Sequence, residues 1–352
     1  MFDELPASPQ DFYNQLLIKS IAALKLNTFL DNFDEQRFNI NGSDHSKNFN
    51  AGERAFYFDW FLKNYESLFS AYSLLNDEPS KRLYLYLIAY RLAGHFGVRL
   101  PVAFAGKTDE YASYKAIEKS TPSNLQTTGM FGNLRHFDFE HRGNRYVVDC
   151  LGLDYYLFRG QYFYDRGGVS IAPEAGDTVI DGGACTGDTA AVFSNVVGPT
   201  GSVYCFDPVA NHLAVLDHNV RQFAHANVRI MPYGLSDKNI VAEPIILTEY
   251  SPGFRSGSNT VPLRSIDFLV NTKEIDSVDF IKLDVEGAEL DSIRGARESI
   301  LRFKPKLAIS LYHKPNDLFE LILYVKDKFP FYALHLDHYT IHTEETVLYC
   351  RA

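Results

Sequence analysis

One nine-residue turn, Asp181-Gly182-Gly183-Ala184-Cys185-Thr186-Gly187-Asp188-Thr189, restricts this chain more than any other stretch. The β-branched run before it, Thr178-Val179-Ile180, reads as a short buried strand of the parallel type. After it, Ala190-Ala191-Val192-Phe193 reads as a helix that Gly198-Pro199 stops. Strand, glycine turn and helix together build a nucleotide-type pocket at the carboxyl edge of a parallel sheet. A plain strand-to-helix turn has the same local outline, so residues elsewhere must decide.

Three ligands suit such a turn, and its residues separate them. A phosphate-binding Walker loop places Lys and then Ser or Thr after its last glycine. Here Gly187 is followed by Asp188, whose charge opposes a phosphate at a helix N-terminus. The dinucleotide fingerprint needs G-x-G-x-x-G, and the order here is Asp-Gly-Gly-x-x-x-Gly. S-adenosylmethionine has no phosphate, and its cationic amino acid and sulfonium suit an acidic, glycine-lined turn. Asp181 would pair with its amino group while Gly183 and Gly187 let the backbone approach closely. The candidate cofactor residues of the turn are Asp181, Gly182, Gly183, Ala184, Gly187, Asp188 and Thr189.

A second strand, Val203-Tyr204-Cys205-Phe206, ends at Asp207-Pro208, where a carboxylate can accept both hydroxyl protons of a ribose. The same position suits a helix cap. Phe206, Asp207 and Pro208 join the candidate set, with Pro208 in the first turn of a helix over 209–223. A third strand over 228–232 leads to Leu235, Ser236 and Asp237, which would border an adenine. Ser251 to Asn259, rich in Gly and Ser, reads as a flexible flap.

Nearly half of the 352 residues are apolar, enough for one large or two medium domains with a substantial core. A formal net charge of −10 with no basic stripe argues against nucleic acid or an anionic membrane as partner. The four cysteines, Cys150, Cys185, Cys205 and Cys350, show no C-x-x-C spacing and read as reduced thiols without a zinc site. Met1-Phe2-Asp3-Glu4 lacks the basic start of a secretory leader, and the longest apolar run, over 83–90, is too short to span a bilayer. The expectation is a soluble, cytoplasmic protein.

Residues 1–97 read as a helical region. It holds a helix over 11–29, a polar loop from Asn39 to Asn48 expected to be mobile, and two further helices. One starts at Gly52 with Phe61, Tyr65, Leu68, Tyr72 and Leu75 on one face. The other covers 80–93 and is bounded by Asp77-Glu78-Pro79 and Gly94. Residues 98–160 read as a small β-containing insert on the acceptor side, with strands at 98–102, 134–139, 144–149 and 155–158 and a hairpin turn at Gly143-Asn144. Thr121 to Asn124 reads as a loop, and Gln161-Tyr162-Phe163-Tyr164-Asp165 can place a ring over the pocket or serve the core.

Residues 161–352 read as an α/β domain. A strand over 278–284 turns at Val285-Glu286-Gly287-Ala288-Glu289 into a helix over 290–301. Lys282 is costly inside a buried strand unless paired, and Asp284 and Glu286 at the strand tip are the expected partners. A neighbouring strand over 306–312 carries His313 at its tip, and a helix over 315–329 follows. Strands at 332–336 and 346–350 are joined too closely for a crossover helix, so they must pair antiparallel. About seven strands, mostly parallel with an antiparallel C-terminal strand, make the Rossmann-like sheet of class I methyltransferases.

Over about residues 160–352 the chain resembles the FkbM methyltransferase family. The resemblance rests on the glycine turn, Phe206-Asp207-Pro208, Ile281-Lys282-Leu283-Asp284-Val285-Glu286-Gly287-Ala288-Glu289, Leu311-Tyr312-His313-Lys314-Pro315 and the tail Glu345-Thr346-Val347-Leu348-Tyr349. It implies S-adenosylmethionine-dependent methylation of a hydroxyl on a sugar, polysaccharide or natural product; methylation of nitrogen stays open. Methyl transfer is an in-line displacement that gains from near-attack placement, and a hydroxyl nucleophile gains from a general base. The expected base is His313, with Asp284 and Glu286 positioning acceptor or cofactor and Lys282 fixing their charge. The competing reading makes Lys282 part of a structural ion-pair network and His313 a helix cap. A cation held by Asp284 and His313 lacks a defining spacing, so no metal is expected.

The expected partner is a small-molecule or saccharide acceptor. An NAD-dependent sugar enzyme would share the fold and Asp207 but not the glycine spacing, and a silent binding protein would need none of the motifs. The helical start of the chain serves either as an acceptor lid or as the contact of a homodimer.

Overall fold

The computed structural model describes residues 1–24, 29, 32, 51–102, 110–127, 132–247, 252–253 and 259–352. The polar loop at 39–48 lies outside the described residues, as do 25–28 and most of the flap expected at 251–259; Pro252–Gly253 is a short strand. The chain divides into two compact units, Met1–Ala105 with Leu311–Leu348, and Gly106–Ser310 with Tyr349–Ala352.

The first unit joins the helical start of the chain to Leu311–Leu348. Helices Pro9–Leu24, Ala51–Leu74 and Glu78–Ala93 pack through rings, Phe12 meeting Phe69 and Tyr72 at centroid distances of 5.6 and 5.4 Å. Asp77 caps the third helix by accepting from the Ser80 amide at 2.7 Å, and Gly94 ends it. These helices hold the C-terminal segment by specific bonds. Trp60 Nε1 donates to Asn316 at 3.0 Å, and Tyr84 donates to the Leu318 carbonyl at 3.1 Å. Asn76 pairs both ways with Leu334, and Asp77 contacts His335. Residues 98–102 do not form the expected strand; the Val98 carbonyl instead accepts from the Asn32 side chain at 3.1 Å.

In the second unit five parallel strands form the frame: β1 (Thr178–Gly182), β2 (Ser202–Phe206), β3 (Val228–Met231), β4 (Phe280–Leu283) and β5 (Lys306–Ser310). Except on the edge strand β3, their apolar side chains are almost wholly buried, as befits strands covered on both faces. Two last strands, β6 (Ala333–His338) and β7 (Thr346–Arg351), complete a seven-stranded order of 6-7-5-4-1-2-3. Tyr339 N bonds Glu345 O at 3.2 Å across the connection between β6 and β7, which leaves no room for a crossover. From β1 the chain builds outward through β2 and β3, then returns to the other side of β1 with β4. The order therefore reverses between β1 and β4, and ligands of open α/β sheets bind at that switch point, beyond the carboxyl ends of the strands.

The insert is a three-stranded antiparallel sheet, Thr121–Pro122, Arg135–His141 and Asn144–Cys150, so Thr121 and Pro122 are in a strand and not in the expected loop. Its hairpin turns one residue earlier than expected, on Arg142 and Gly143, whose φ values of 49° and 78° match the twist of the strands. Residues 155–158 form no strand; Asp154–Phe158 is a single π-helical turn. The expected helix over 290–301 is two helices, Glu289–Arg294 and Arg297–Phe303, broken at Gly295, where a side chain would overlap the Ser236 carbonyl. A second sheet is mixed: Ile240–Leu247 pairs antiparallel with Pro252–Gly253 and with Asn259–Arg264, and Asn259–Arg264 pairs parallel with Gly234–Leu235. Among the described residues no helix is long and apolar enough to cross a membrane.

Candidate functional site

The glycine turn lies at the switch point, held there by the strand tips on either side. Gly183 and Ala184 donate their amides to the Phe206 carbonyl, at 2.9 and 3.1 Å, which binds the turn to the end of β2. On the other side Gly183, at φ 77°, meets the end of β4: a Cβ would overlap the carbonyl oxygen of Asp284. A Cβ on Gly187, at φ 87°, would press on Leu216. The two glycines thus admit neighbouring parts of the protein itself, not only a ligand as the sequence suggested. Leu235, buried at 2% exposure, packs against Gly182, and Ser236 N bonds Arg264 O at 3.1 Å.

Asp181 is wholly buried. Its Oδ2 accepts from the Thr189 hydroxyl at 2.7 Å, and its Oδ1 lies 3.1 Å from Lys282 Nζ. The ammonium also donates to the carbonyls of Gly182 and Gly183, at 3.0 and 2.9 Å, so two of its hydrogens are bonded while its charge faces Asp181. Burial pulls the Lys282 pKa down, but the charge of Asp181, with Asp284 behind it, outweighs burial and holds it above the ordinary value. This corrects two expectations. The ion pair of Lys282 closes on Asp181, not on the strand-tip carboxylates. Asp181, expected to receive an amino group of the donor, is already paired and out of solvent.

The remaining acids line the turn. Asp188 opens the helix Asp188–Val197, half-buried, accepting from the Thr189 amide at 2.8 Å; burial pushes its pKa up to about 6. Asp207, 4% exposed, accepts from the amides of Val209 at 2.8 Å and Cys185 at 3.2 Å and lies 3.0 Å from His212 Nδ1. It braces the turn and the next helix, Ala210–Val220, at once. Val209 is that helix's N-cap, so Pro208 precedes the helix and does not lie in its first turn. Asp284 is half-buried just past β4, while Glu286 is exposed at φ 56°. Glu289 is buried and braces the same turn, its Oε1 accepting from the Val285 and Gly287 amides at 2.8 and 3.4 Å. His313 belongs to the first unit, half-buried beside Tyr312 with ring centroids 4.3 Å apart.

Three contributors escaped the sequence reading as site residues. The Tyr162 hydroxyl donates to Asp284 Oδ2 at 2.9 Å. His212 reaches Asp207 from one helical turn on, a spacing visible in sequence once Asp207 is singled out. Asn219, wholly buried, exchanges hydrogen bonds of 2.8 Å with both backbone groups of Asp149 in the insert and donates to the Thr186 carbonyl of the glycine turn at 2.7 Å. No local signal announces that latch.

Residues 181–336 match the model of the methyltransferase FkbM domain. No curated protein matches the chain. Among solved structures, a methyltransferase FkbM from Methylobacillus flagellatus KT superposes with a TM-score of 0.52 at 21% identity, covering 83% of this chain; this chain spans 60% of that one. That likeness shows a shared fold. A SAM-dependent methyltransferase from Aquifex aeolicus aligns at 18% identity over 50% of this chain and 81% of its own, with a TM-score of 0.32. Fibrillarin from Aeropyrum pernix, a complex with natively bound S-adenosyl-L-methionine, aligns at 12% identity over 66% and 97%, with a TM-score of 0.35. At those scores neither of the last two bears on the argument.

Proposed function

We propose, from the match of residues 181–336 to the methyltransferase FkbM domain, that this chain transfers a methyl group from S-adenosylmethionine to a hydroxyl of a saccharide or glycosylated small molecule. The observation that carries the donor half of this reading is a charge balance. The buried cation of the turn, Lys282, is consumed by Asp181 and two carbonyls, while Asp188, Asp207 and Asp284 surround the same strand tips. A phosphate or pyrophosphate would meet carboxylates there, with Lys282 already spent on Asp181 and two carbonyls. A donor with a sulfonium, an ammonium and a ribose diol suits them.

The roles follow from position. Asp207 at the tip of β2 accepts ribose hydroxyls, Leu235 and Ser236 border the base, and Asp188 and Asp284 face the cationic end. The backbone of Gly182 to Gly187, with Phe206 and Pro208, walls the donor. When bound, the donor supplies an activated methyl group; the protein's task is to orient it and to receive a proton. From the sequence alone, His313 stays the candidate base for the hydroxyl proton, and Glu286 a contact to the acceptor. The protein works in the cytoplasm, where donor and glycosylated precursors are available.

The test is incubation with methyl-labelled S-adenosylmethionine and mixed pools of glycosides and amino sugars. Label in a base-stable ether of a glycoside supports the full reading. Label on nitrogen retains the donor and replaces the acceptor class. Label in neither pool, with no donor consumed, overturns the saccharide reading.

A further inference from the structure

Tyr162 lies ahead of the matched domain, yet the fold delivers it to the site. It is 0% exposed, and its backbone takes a φ of 73°, which a bulky side chain rarely adopts. Its neighbours hold it in that conformation. The Tyr162 amide donates to the Tyr349 hydroxyl at 3.0 Å, and its ring stacks on Tyr156 of the π-helical turn, centroids 6.0 Å apart and planes 8° from parallel. Lys282 Nζ stands 5.4 Å from the ring centroid. The one polar atom of the side chain donates to Asp284 Oδ2 at 2.9 Å, across 122 positions of sequence.

A core tyrosine needs only a partner for its hydroxyl. Here that partner is a half-buried carboxylate at the switch point. Asp181, the other acid beside Lys282, is fully buried, so the half-buried Asp284 is the acid of the two that a cationic ligand can reach. A short carboxylate at the end of a strand can turn about χ1 and χ2; a fixed donor on one oxygen narrows that range and helps set the carboxylate's direction. We infer that Tyr162 is the positioning residue of the site, setting the Asp284 carboxylate toward the methyl donor from a rigid aromatic stack outside the matched domain. This inference rests on the donor assignment above.

The test is a double-mutant cycle read by calorimetric titration with S-adenosylhomocysteine, using wild type, Tyr162→Phe, Asp284→Asn and the double variant. Tyr162→Phe keeps the ring, its stacking and its backbone and removes only the hydroxyl, so circular dichroism and melting should match wild type. The expected result is about tenfold weaker binding for Tyr162→Phe, the loss of one hydrogen bond to a charged group. Added to Asp284→Asn, the tyrosine change should then have no further effect. Equal losses in both backgrounds would show a merely structural tyrosine and overturn the inference, as would undiminished binding by Tyr162→Phe. Wild type giving no heat with S-adenosylhomocysteine would instead remove the donor assignment, and the inference with it.

Discussion

Lys282 and Asp181 are register partners on the adjacent parallel strands β4 and β1, and their charges meet at 3.1 Å in the interior of the sheet. The pair sits where the strand order reverses, so its two buried charges offset one another at that point of the sheet. Breaking such a pair on one side strands a buried charge. Lys282→Met should therefore destabilise the protein by about 3–5 kcal/mol in urea unfolding. Lys282→Met with Asp181→Asn should be less damaging than Lys282→Met alone, and an equal or greater loss in the double variant would contradict the pairing.

Gly183 should tolerate nothing larger. Its φ of 77° and the Asp284 carbonyl in the place of a Cβ together predict that Gly183→Ala costs more than about 2 kcal/mol. Gly143, at φ 78° in the hairpin turn but with open space around it, is the control, and Gly143→Ala should cost only about 1 kcal/mol. Similar melting temperatures for the two variants would show that backbone strain, and not the approach of β4, governs the turn.

His338 should make the protein acid-sensitive. It is wholly buried and bonded to Thr346 at 2.9 Å. Burial, with the nearby His342 and Arg91 charges, lowers its pKa from 6.5 to about 3. A depressed base is neutral in both states above pH 6.5, so its contribution is complete there. Below that value the unfolded chain binds the proton and the folded one does not, and stability falls until about pH 3. The whole effect is roughly 3–5 kcal/mol, one pKa unit being worth about 1.4 kcal/mol. His338→Gln should flatten the decline of melting temperature across that window; an unchanged slope would mean the ring is protonated in the fold.

Asp188 should work in the opposite sense. Its folded pKa, raised to about 6, means that ionisation penalises the fold as pH rises through that value, while below the ordinary 3.8 the acid is neutral in both states. Asp188→Asn should stabilise the protein near neutral pH, leave it unchanged near pH 3, and weaken S-adenosylhomocysteine binding. Stability gained with affinity lost is the mark of a charge kept for a ligand; affinity unchanged by the substitution would remove Asp188 from the donor site.

The parts legible in the sequence were those with local signals. The runs of β1 to β5 each end at a marked tip, and Asp77-Glu78-Pro79 and Gly94 bound a helix as capping chemistry dictates. What escaped depended on pairing at a distance. Lys282 found Asp181 because the strands align in that register, whereas the sequence offered only its near neighbours Asp284 and Glu286. Tyr155 to Phe158 carry β-forming aromatic residues, but tertiary packing sets them in a π-helical turn. The sheet at 240–264 joins Ile240 to Leu263 and contains Pro244, which weakens any strand signal. Tyr162 carried no motif at all; only the fold brings it to Asp284.

The central claim is that the acidic turn, with Lys282 already paired to Asp181, binds a methyl donor and not a dinucleotide. Calorimetric titration of the purified chain with S-adenosylhomocysteine and, separately, with NAD tests it most directly, with Asp207→Ala as control. The account predicts binding of the thioether nucleoside, at least about tenfold weaker in Asp207→Ala, and no heat with NAD. Binding of NAD with none of S-adenosylhomocysteine would contradict it.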